Sequence, residues 1–418
     1  MKSVDVAILG AGVAGLGASM RASEIGREAV LFESRHTAGG LLDNFMIKGF
    51  RFDHAVHLSF ATEPEVREIF DRTPYITHPA DSACHEGSVW MKHPVQNNLY
   101  PLPPEEKVAL IESFVNRPEM TKDNYEGWLR HQYGDLIAER YPLRYTQKYW
   151  DTDASGLSTT WIGNRMRRAK LSEVLYGAFS ADTPNTYYTK EMRYPEKGGY
   201  KSFIAPLIEQ ADIRCDHEVT GIDLERKTLQ FSNGNQFSYS KLVSTLPLPI
   251  IIGLLSGVPP EVDEAASELK ATSVDLISVA FNKEVMRDLW FYIYDEDIYA
   301  SRAYSPSVKS PDNAPRGCSS IQFEIYSRGE SSRYTKDELV ANTYYALDKL
   351  GICSKNDIYF VDHRRIRYGN VIFDTGMEGR RSLVLNYLKS FDVASCGRFG
   401  AWDYLWSNQS LLSGYHAL

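Results

Sequence analysis

Six residues near the start of the chain, Gly10-Ala11-Gly12-Val13-Ala14-Gly15, carry the first chemistry the sequence offers. Glycines at that spacing give a tight turn, a close approach of backbone to a pyrophosphate, and close packing of a helix on a strand. Phosphate oxygens then meet free N–H groups at the helix N-terminus. Glu33 stands 18 residues past Gly15, where a carboxylate accepts hydrogen bonds from ribose hydroxyls. These residues point to a bound dinucleotide. No Ser/His/Asp or Cys/His set points to a protein nucleophile. The five cysteines (Cys84, Cys215, Cys318, Cys353, Cys396) are scattered, without a CxxC pair, so neither a metal site nor a disulfide framework is expected.

The elements that must hold this motif follow from local pattern. Residues 4–33 read as one βαβ unit: a buried strand over Val4–Leu9, a helix to about Ile25, and a second strand over Glu28–Phe32. From about residue 93 to 185 apolar residues fall at helical spacing, as in Pro104–Asn116 and Tyr125–Arg140, which predicts a helical insertion. Short strands return at Ile213–Cys215 and Val219–Leu224. A hairpin follows over Leu229–Phe237 across an Asn-Gly turn. Leu242–Leu246 reads as an apolar strand stopped by Pro247, and 274–300 with 357–373 alternate like half-buried strands of an antiparallel sheet. The polar stretch Ser305–Pro315 reads as a mobile loop.

Composition narrows the classes. At 418 residues the chain suits two or three domains. A net charge of −8 argues against a nucleic-acid binder, so any anion site must be a local cluster of arginines. The run Val6–Leu9 is short and enters glycines directly, which reads as strand and turn rather than signal peptide. No stretch approaches about 18 apolar residues, so no membrane span is expected. A reducing cytoplasm is the expected home.

Three further features lie outside the first βαβ unit: the turn Thr37-Ala38-Gly39-Gly40, the segment Gly49–Asp53 with Val56-His57, and Gly397-Arg398-Phe399-Gly400 near the far end. Together they resemble the flavoprotein group of amine oxidases and protoporphyrinogen oxidase. In that group the C-terminal glycine turn and helix pack against the flavin, so the resemblance implies FAD rather than NAD. Past residue 50 the sequence is similar to the UDP-galactopyranose mutases, particularly the eukaryotic type. The likeness is carried by Asp53–Phe60, by Pro94–Asn98 with Leu102-Pro103, and by Lys148-Tyr149-Trp150 followed by Trp161–Arg165. Trp290–Arg302, Gly397–Tyr404 and Asn408-Gln409-Ser410 complete it.

The fold this implies is α/β. A Rossmann-like FAD-binding domain (1–92 with 205–262 and 385–418) carries an inserted helical substrate domain (93–185) and an antiparallel sheet domain (186–204 with 263–384). The implied reaction interconverts pyranose and furanose sugars, reduced FAD acting through N5 on the anomeric carbon without net redox change. The galactofuranose product would serve cell-surface polysaccharide. Arg165 and Arg302 are implied to clamp the substrate diphosphate, with His57 beside the flavin. Substrate would meet Val95, Gln96, Tyr145, Thr146, Trp150, Tyr292, Asn370 and Tyr404. Cofactor would meet Gly10, Gly12, Val13, Ala14, Gly15, Glu33, Ser34, Gly39, Gly40, His57, Val219, Arg398, Asn408, Gln409 and Ser410. The arginine fork suits phosphate oxygens. Arg167 and Arg168 are expected as surface charge, His54 as structural. Partners would be a UDP-type sugar nucleotide and a reductant such as NAD(P)H, with a homo-oligomer possible and neither nucleic acid nor membrane expected. The chain ends at Leu418, soon after the last motif, so a short closing helix is expected.

Two positions depart from the family pattern. Thr146 stands where an asparagine meets the uracil edge, and Asn370 where a further phosphate-binding tyrosine is expected; Asp182–Asn185, which should touch the sugar, has no clear counterpart. The sugar and the nucleotide therefore stay open. So do two rivals, an FAD-dependent oxidoreductase of the amine-oxidase type and a protein that holds FAD only to sense a ligand.

Overall fold

The apolar run at the N-terminus forms the strand Lys2–Leu9, whose residues Val6–Leu9 are fully buried. It is the centre of the parallel part of a mixed seven-stranded sheet, whose strands Val219–Asp223 and Thr228–Phe231 run antiparallel, in a computed structural model that describes residues 2–119, 123–163, 165–166, 168–185, 191–285 and 288–418. Arg167, Asn164 and residues 186–190 at the expected domain boundary lie outside the described residues. Ala29–Phe32 pairs on one side of the first strand, and Gln236–Ser244 on the other. Asp212–Arg214 extends the sheet beyond Ala29–Phe32. Beyond Gln236–Ser244, Thr228–Phe231 flanks its first half and Val393–Ser395 its second. Gln236–Ser244 is one continuous strand where the sequence suggested a hairpin arm and a separate strand. Its first half completes the Asn-Gly hairpin and its second half runs parallel to Lys2–Leu9.

Gly10, Glu33 and Thr245 each follow a parallel strand directly, and Gly397 follows Val393–Ser395 by two residues. All four therefore meet at the carboxyl edge of the sheet, where open α/β sheets bind ligands. The helix Val13–Glu24 starts there, and the C-terminal helix Ser407–Tyr415 docks on it. Two glycines allow that docking: a Cβ on Gly414 would lie 1.8 Å from the Ala14 carbonyl, and one on Gly17 would lie 2.2 Å from that of Leu411.

The second sheet has the strand order 358–366, 272–281, 319–328, 302–304, 290–293, 83–86, 89–92. Most pairs are antiparallel, but Phe291–Ile293 runs parallel to Ala83–His85, so the sheet is mixed. The hairpin 83–92 belongs to this sheet, not to the nucleotide-binding one. Residues 274–300 were expected to alternate as half-buried strands, yet every residue of the strand Thr272–Phe281 is buried. Val274 and Leu276 pack into one core and Ile277, Val279 and Phe281 into another, so both faces are covered. Residues 367–373 do not continue the strand 358–366.

Ser305–Pro315, expected as a mobile loop, is instead folded into the helical turns Pro306–Lys309 and Pro311–Asn313. Lys309, Ser310 and Asn313 have no exposed surface. Most of their polar groups are satisfied internally, though Asn313 Oδ1 has no hydrogen-bond partner among the described residues. Lys309 Nζ lies 2.6 Å from Asp53 and over the rings of Tyr194 and Tyr304, while Asn313 donates to Tyr194 and to the Pro306 carbonyl. Between residues 93 and 185 helices predominate. The segment Asp135–Trp150 widens to a π-helical turn at Glu139–Leu143 around Pro142, whose missing N–H makes a regular turn unavailable. Tyr145 and Tyr149 then fall four residues apart on one face, their rings stacked at 5.3 Å.

Candidate active site

A cavity of about 1110 Å³ opens at the carboxyl edge of the parallel sheet. One end is the glycine turn. Gly10 has φ +96°, which a side chain disfavours, and a Cβ on Gly15 would lie 2.1 Å from the Gly10 carbonyl. Gly10, Gly12, Val13, Ala14, Glu33, Ser34, Gly39 and Gly40 all line the wall; Gly15 packs behind it. The Glu33 carboxylate accepts the Ala11 amide at 3.0 Å and the Arg35 amide at 3.0 Å, which holds it at the mouth of the cradle. The bare backbone and the exposed helix N-terminus fit a dinucleotide pyrophosphate. Among the described residues no group of three or more His, Cys, Asp or Glu could hold a metal ion.

The other end is built from arginines and tyrosines. Arg302 donates through Nε to Glu324 and through Nη2 to the Tyr326 hydroxyl at 3.0 Å, and its guanidinium lies 5.2 Å from the Tyr149 ring. Burial disfavours its charge, but the Glu324 carboxylate outweighs that and holds the Arg302 pKa well above the usual value. Glu324 has no exposed surface; it also accepts from Tyr326 at 2.7 Å and from the Val56 amide at 2.7 Å. Arg165 donates to the carbonyls of Trp161 and Tyr404, and Arg398 to the Leu405 carbonyl and to Asn370 Oδ1. Both guanidiniums lie 4.7 Å from the Tyr404 ring. The Tyr149 hydroxyl is 3.0 Å from that of Tyr404 and donates to Asn370 Oδ1 at 3.1 Å. Arg165, Tyr404, Tyr149 and Arg302 thus form an unbroken chain of contacts across three segments of the sequence.

His57 lines the same cavity. Its Nδ1 is 3.1 Å from the Ala55 carbonyl. A carbonyl only accepts, so Nδ1 carries the proton and Nε2 keeps a lone pair. Burial pushes the pKa down to about 4, against the opposing field of Asp53. The turn is strained, with Ala55 at φ +71°. The Tyr304 hydroxyl on the Ala55 carbonyl and Glu324 on the Val56 amide hold it in place.

The cavity gathers Tyr292, Asn370, Arg398, Tyr404 and Ser410 with His57 and Arg302 on one wall. Other expected residues stand behind it. Arg165 packs on Tyr404 and Trp406, and Tyr145 on Tyr149 and Tyr292. Trp150 is buried against Tyr149 and Trp161. Val95 is buried, and Gln96 flanks it in the turn Val95–Asn97. The Thr146 hydroxyl donates back to the Pro142 carbonyl at 2.7 Å and is spent inside its own helix. Asn408 donates to Glu63, and Gln409 accepts from the Trp406 amide. Val219 lies two residues past His217, whose amide bonds the Glu33 carbonyl, but not on the wall. Thr183 and Pro184 line a second, smaller cavity with Asn97 and Tyr176. His54, expected as structural, is on the main wall.

The sequence gives no site role to Tyr149, which it shows only within a motif, and singles out neither Tyr326 nor Glu324. Tyr149 was readable as the i+4 partner of Tyr145. Glu324 and Tyr326 sit two apart on one strand, but only register shows that Glu324 pairs with Arg302.

Residues 8–73 match the family model of an NAD(P)-binding Rossmann-like domain. Among solved structures, a crystal structure of reduced UDP-galactopyranose mutase superposes with TM-score 0.92 at 23% identity, over 99% of this chain and 94% of that one. A putative protoporphyrinogen oxidase from Exiguobacterium sp. 255-15 gives 0.76 at 16% identity, over 100% and 98%. A putrescine oxidase with redesigned cofactor binding gives 0.68 at 13% identity, over 99% and 98%. At these identities the likeness is one of fold: mixed α/β, with a Rossmann-like domain and a second large sheet. No helix among the described residues is long and apolar enough to cross a membrane.

Proposed function

We propose that this chain is a flavin-dependent mutase that interconverts pyranose and furanose forms of a sugar nucleotide, with UDP-galactose the first substrate to try. One observation carries the reading: the cavity that begins at the dinucleotide cradle is also lined by Arg302, Arg398 and five tyrosines, with Arg165 packed on Tyr404. A sugar nucleotide brings a diphosphate that needs such a clamp, whereas an amine or a saturated ring brings none.

FAD is the dinucleotide we assign to the cradle, because Gly397 and the C-terminal helix return to line it. When bound and reduced, by a donor such as NAD(P)H, FAD supplies a nucleophilic N5 to the anomeric carbon with no net redox change. Arg302 and Arg165 hold the diphosphate, and Tyr292 and Tyr404 add hydroxyl donors without further charge. Keeping that diphosphate beside the sugar makes its return intramolecular. His57 is neutral at physiological pH, so Nε2 offers a lone pair that can accept a hydrogen bond. Tyr145 and Trp150, with Val95 and Gln96, back the tyrosine wall where the base would lie, and the Thr146 hydroxyl, turned into its helix, leaves base recognition to these neighbours.

The test is to incubate oxidised and dithionite-reduced protein with UDP-galactopyranose and other sugar nucleotides and to separate the ring isomers. Isomerisation by reduced protein alone is expected. Oxygen consumption on an amine, with no isomerisation of any sugar nucleotide, would move the assignment to an oxidoreductase of the amine-oxidase type. Absence of any turnover would leave a ligand-sensing flavoprotein.

A further inference from the structure

The two oxygens of the buried Glu324 carboxylate serve different parts of the cavity wall. Oε1 accepts the Val56 amide at 2.7 Å, while Oε2 accepts Arg302 Nε and, at 2.7 Å, the Tyr326 hydroxyl. That amide belongs to the same peptide group as the Ala55 carbonyl, which takes the Tyr304 hydroxyl at 3.2 Å and faces His57 Nδ1 at 3.1 Å. Glu324 thus grips, from the other side, the peptide that orients the His57 ring. The segment His54–His57 lines the cavity, and it is also tied to the cradle. The His54 amide donates to the carbonyl of Asp43, which closes the turn Gly40–Leu42. Strand register builds the bridge. Gln322, Glu324 and Tyr326 alternate onto one face of the strand 319–328, where they hold Tyr304, Val56 and Arg302 respectively.

We infer that Glu324 is a positioning residue that couples occupancy of the anion clamp to the turn carrying His57, and through it to the dinucleotide; this rests on the sugar-nucleotide reading. Two features let the turn respond. Ala55 is held at φ +71°, a conformation that a side chain disfavours and that persists only where its surroundings enforce it. The carboxylate that enforces it is shared with the clamp. A diphosphate on the Nη groups of Arg302 competes for the guanidinium's charge, leaving Glu324 less compensated and its bond to the Val56 amide stronger. Such coupling is reciprocal, so a change at the turn alters the affinity of the clamp by the same factor.

Glutamine at 324 cuts the bridge with little change of shape. The Val56 amide and Arg302 Nε both only donate, and a glutamine side chain has one accepting oxygen, so it serves one of them. Wild-type holoenzyme, Glu324→Gln, Glu324→Asp and Tyr326→Phe are titrated with UDP and with inorganic pyrophosphate while flavin absorbance is recorded. Each titration gives an affinity and, at saturation, the size of the flavin difference spectrum. The wild-type flavin band should change with both ligands. Glu324→Gln should bind UDP about 10- to 100-fold more weakly and, once saturated, lose most of that change. Tyr326→Phe loosens Arg302 but leaves the bridge, so it should lose affinity and keep the change. If Glu324→Gln does not fold or cannot be saturated, Glu324→Asp gives the same reading with the charge intact, its arm being one methylene too short to reach both partners. A full-sized change in the saturated Glu324 variants would leave Glu324 as a mere support of Arg302 and overturn this inference alone. So would an equal loss in Tyr326→Phe, or a wild type that binds UDP with no change in its flavin band. If the wild type binds neither UDP nor inorganic pyrophosphate, the sugar-nucleotide reading falls and this inference with it.

Discussion

Replacing Arg302 by lysine separates holding a phosphate from holding the fold. Arginine carries five N–H groups; here Nε is spent on Glu324 and one Nη2 hydrogen on Tyr326, which leaves three for a ligand. Lysine keeps a positive charge beside the buried carboxylate, but one ammonium cannot serve Glu324 and two phosphate oxygens at the spacing of a fork. Losing one charge-assisted bond costs about 1.5–3 kcal/mol, or about 10- to 150-fold in kcat/KM. Arg302→Ala differs, because it strands Glu324, which has no exposed surface. Breaking a buried pair costs about 3–5 kcal/mol. Unfolding entropy for a chain of 418 residues is about 0.9 kcal/mol/K, so Tm should fall by about 3–6 °C. Steady-state turnover of sugar nucleotide by reduced protein, with thermal melts of both variants, provides the assay. Arg302→Lys should melt near wild type and turn over slowly. A kcat/KM within about three-fold of wild type would refute the reasoning.

Lys309→Met removes the ammonium 2.6 Å from the buried Asp53 carboxylate, and Tm should drop by about 3–6 °C. Adding Asp53→Asn should restore most of it, and a melt unchanged by Lys309→Met would contradict the pairing. Gly414→Ala places a methyl 1.8 Å from the Ala14 carbonyl; it should cost about 1–3 kcal/mol or more and loosen the cofactor, read by melting and by flavin retained on gel filtration. His57 stays neutral in the fold down to about 4, against 6.5 unfolded. Between those values the unfolded chain binds the extra proton, so His57 makes stability rise with pH, fully present above 6.5 and lost toward 4. His57→Asn should flatten the dependence of Tm on pH in that window, and an unchanged slope would count against a buried, neutral imidazole.

The dinucleotide half of this molecule was readable because its requirements are local. Glycines at fixed offsets, a strand before them and an acid after them lie within the residues 4–33. The arginine–tyrosine half is assembled from segments far apart in the sequence. Arg165 and Tyr404 are recognisable by family likeness, yet nothing near Arg302 in sequence announces Glu324, because strand register brings them together. Ser305–Pro315 misleads for a related reason. Its serines, asparagine and lysine look like a solvated loop, whereas they bury one another's polar groups around Asp53. Thr146 shows the limit of a residue-by-residue transfer: the position is in the expected helix, but the hydroxyl is spent on the Pro142 carbonyl.

The most direct test is a crystal structure of the reduced protein soaked with UDP. Diphosphate oxygens should lie within hydrogen-bonding distance of Arg165 and Arg302, with the Tyr404 hydroxyl beside them and the flavin along the glycine cradle. Nucleotide bound away from this cavity, or a diphosphate that neither guanidinium touches, would contradict the account.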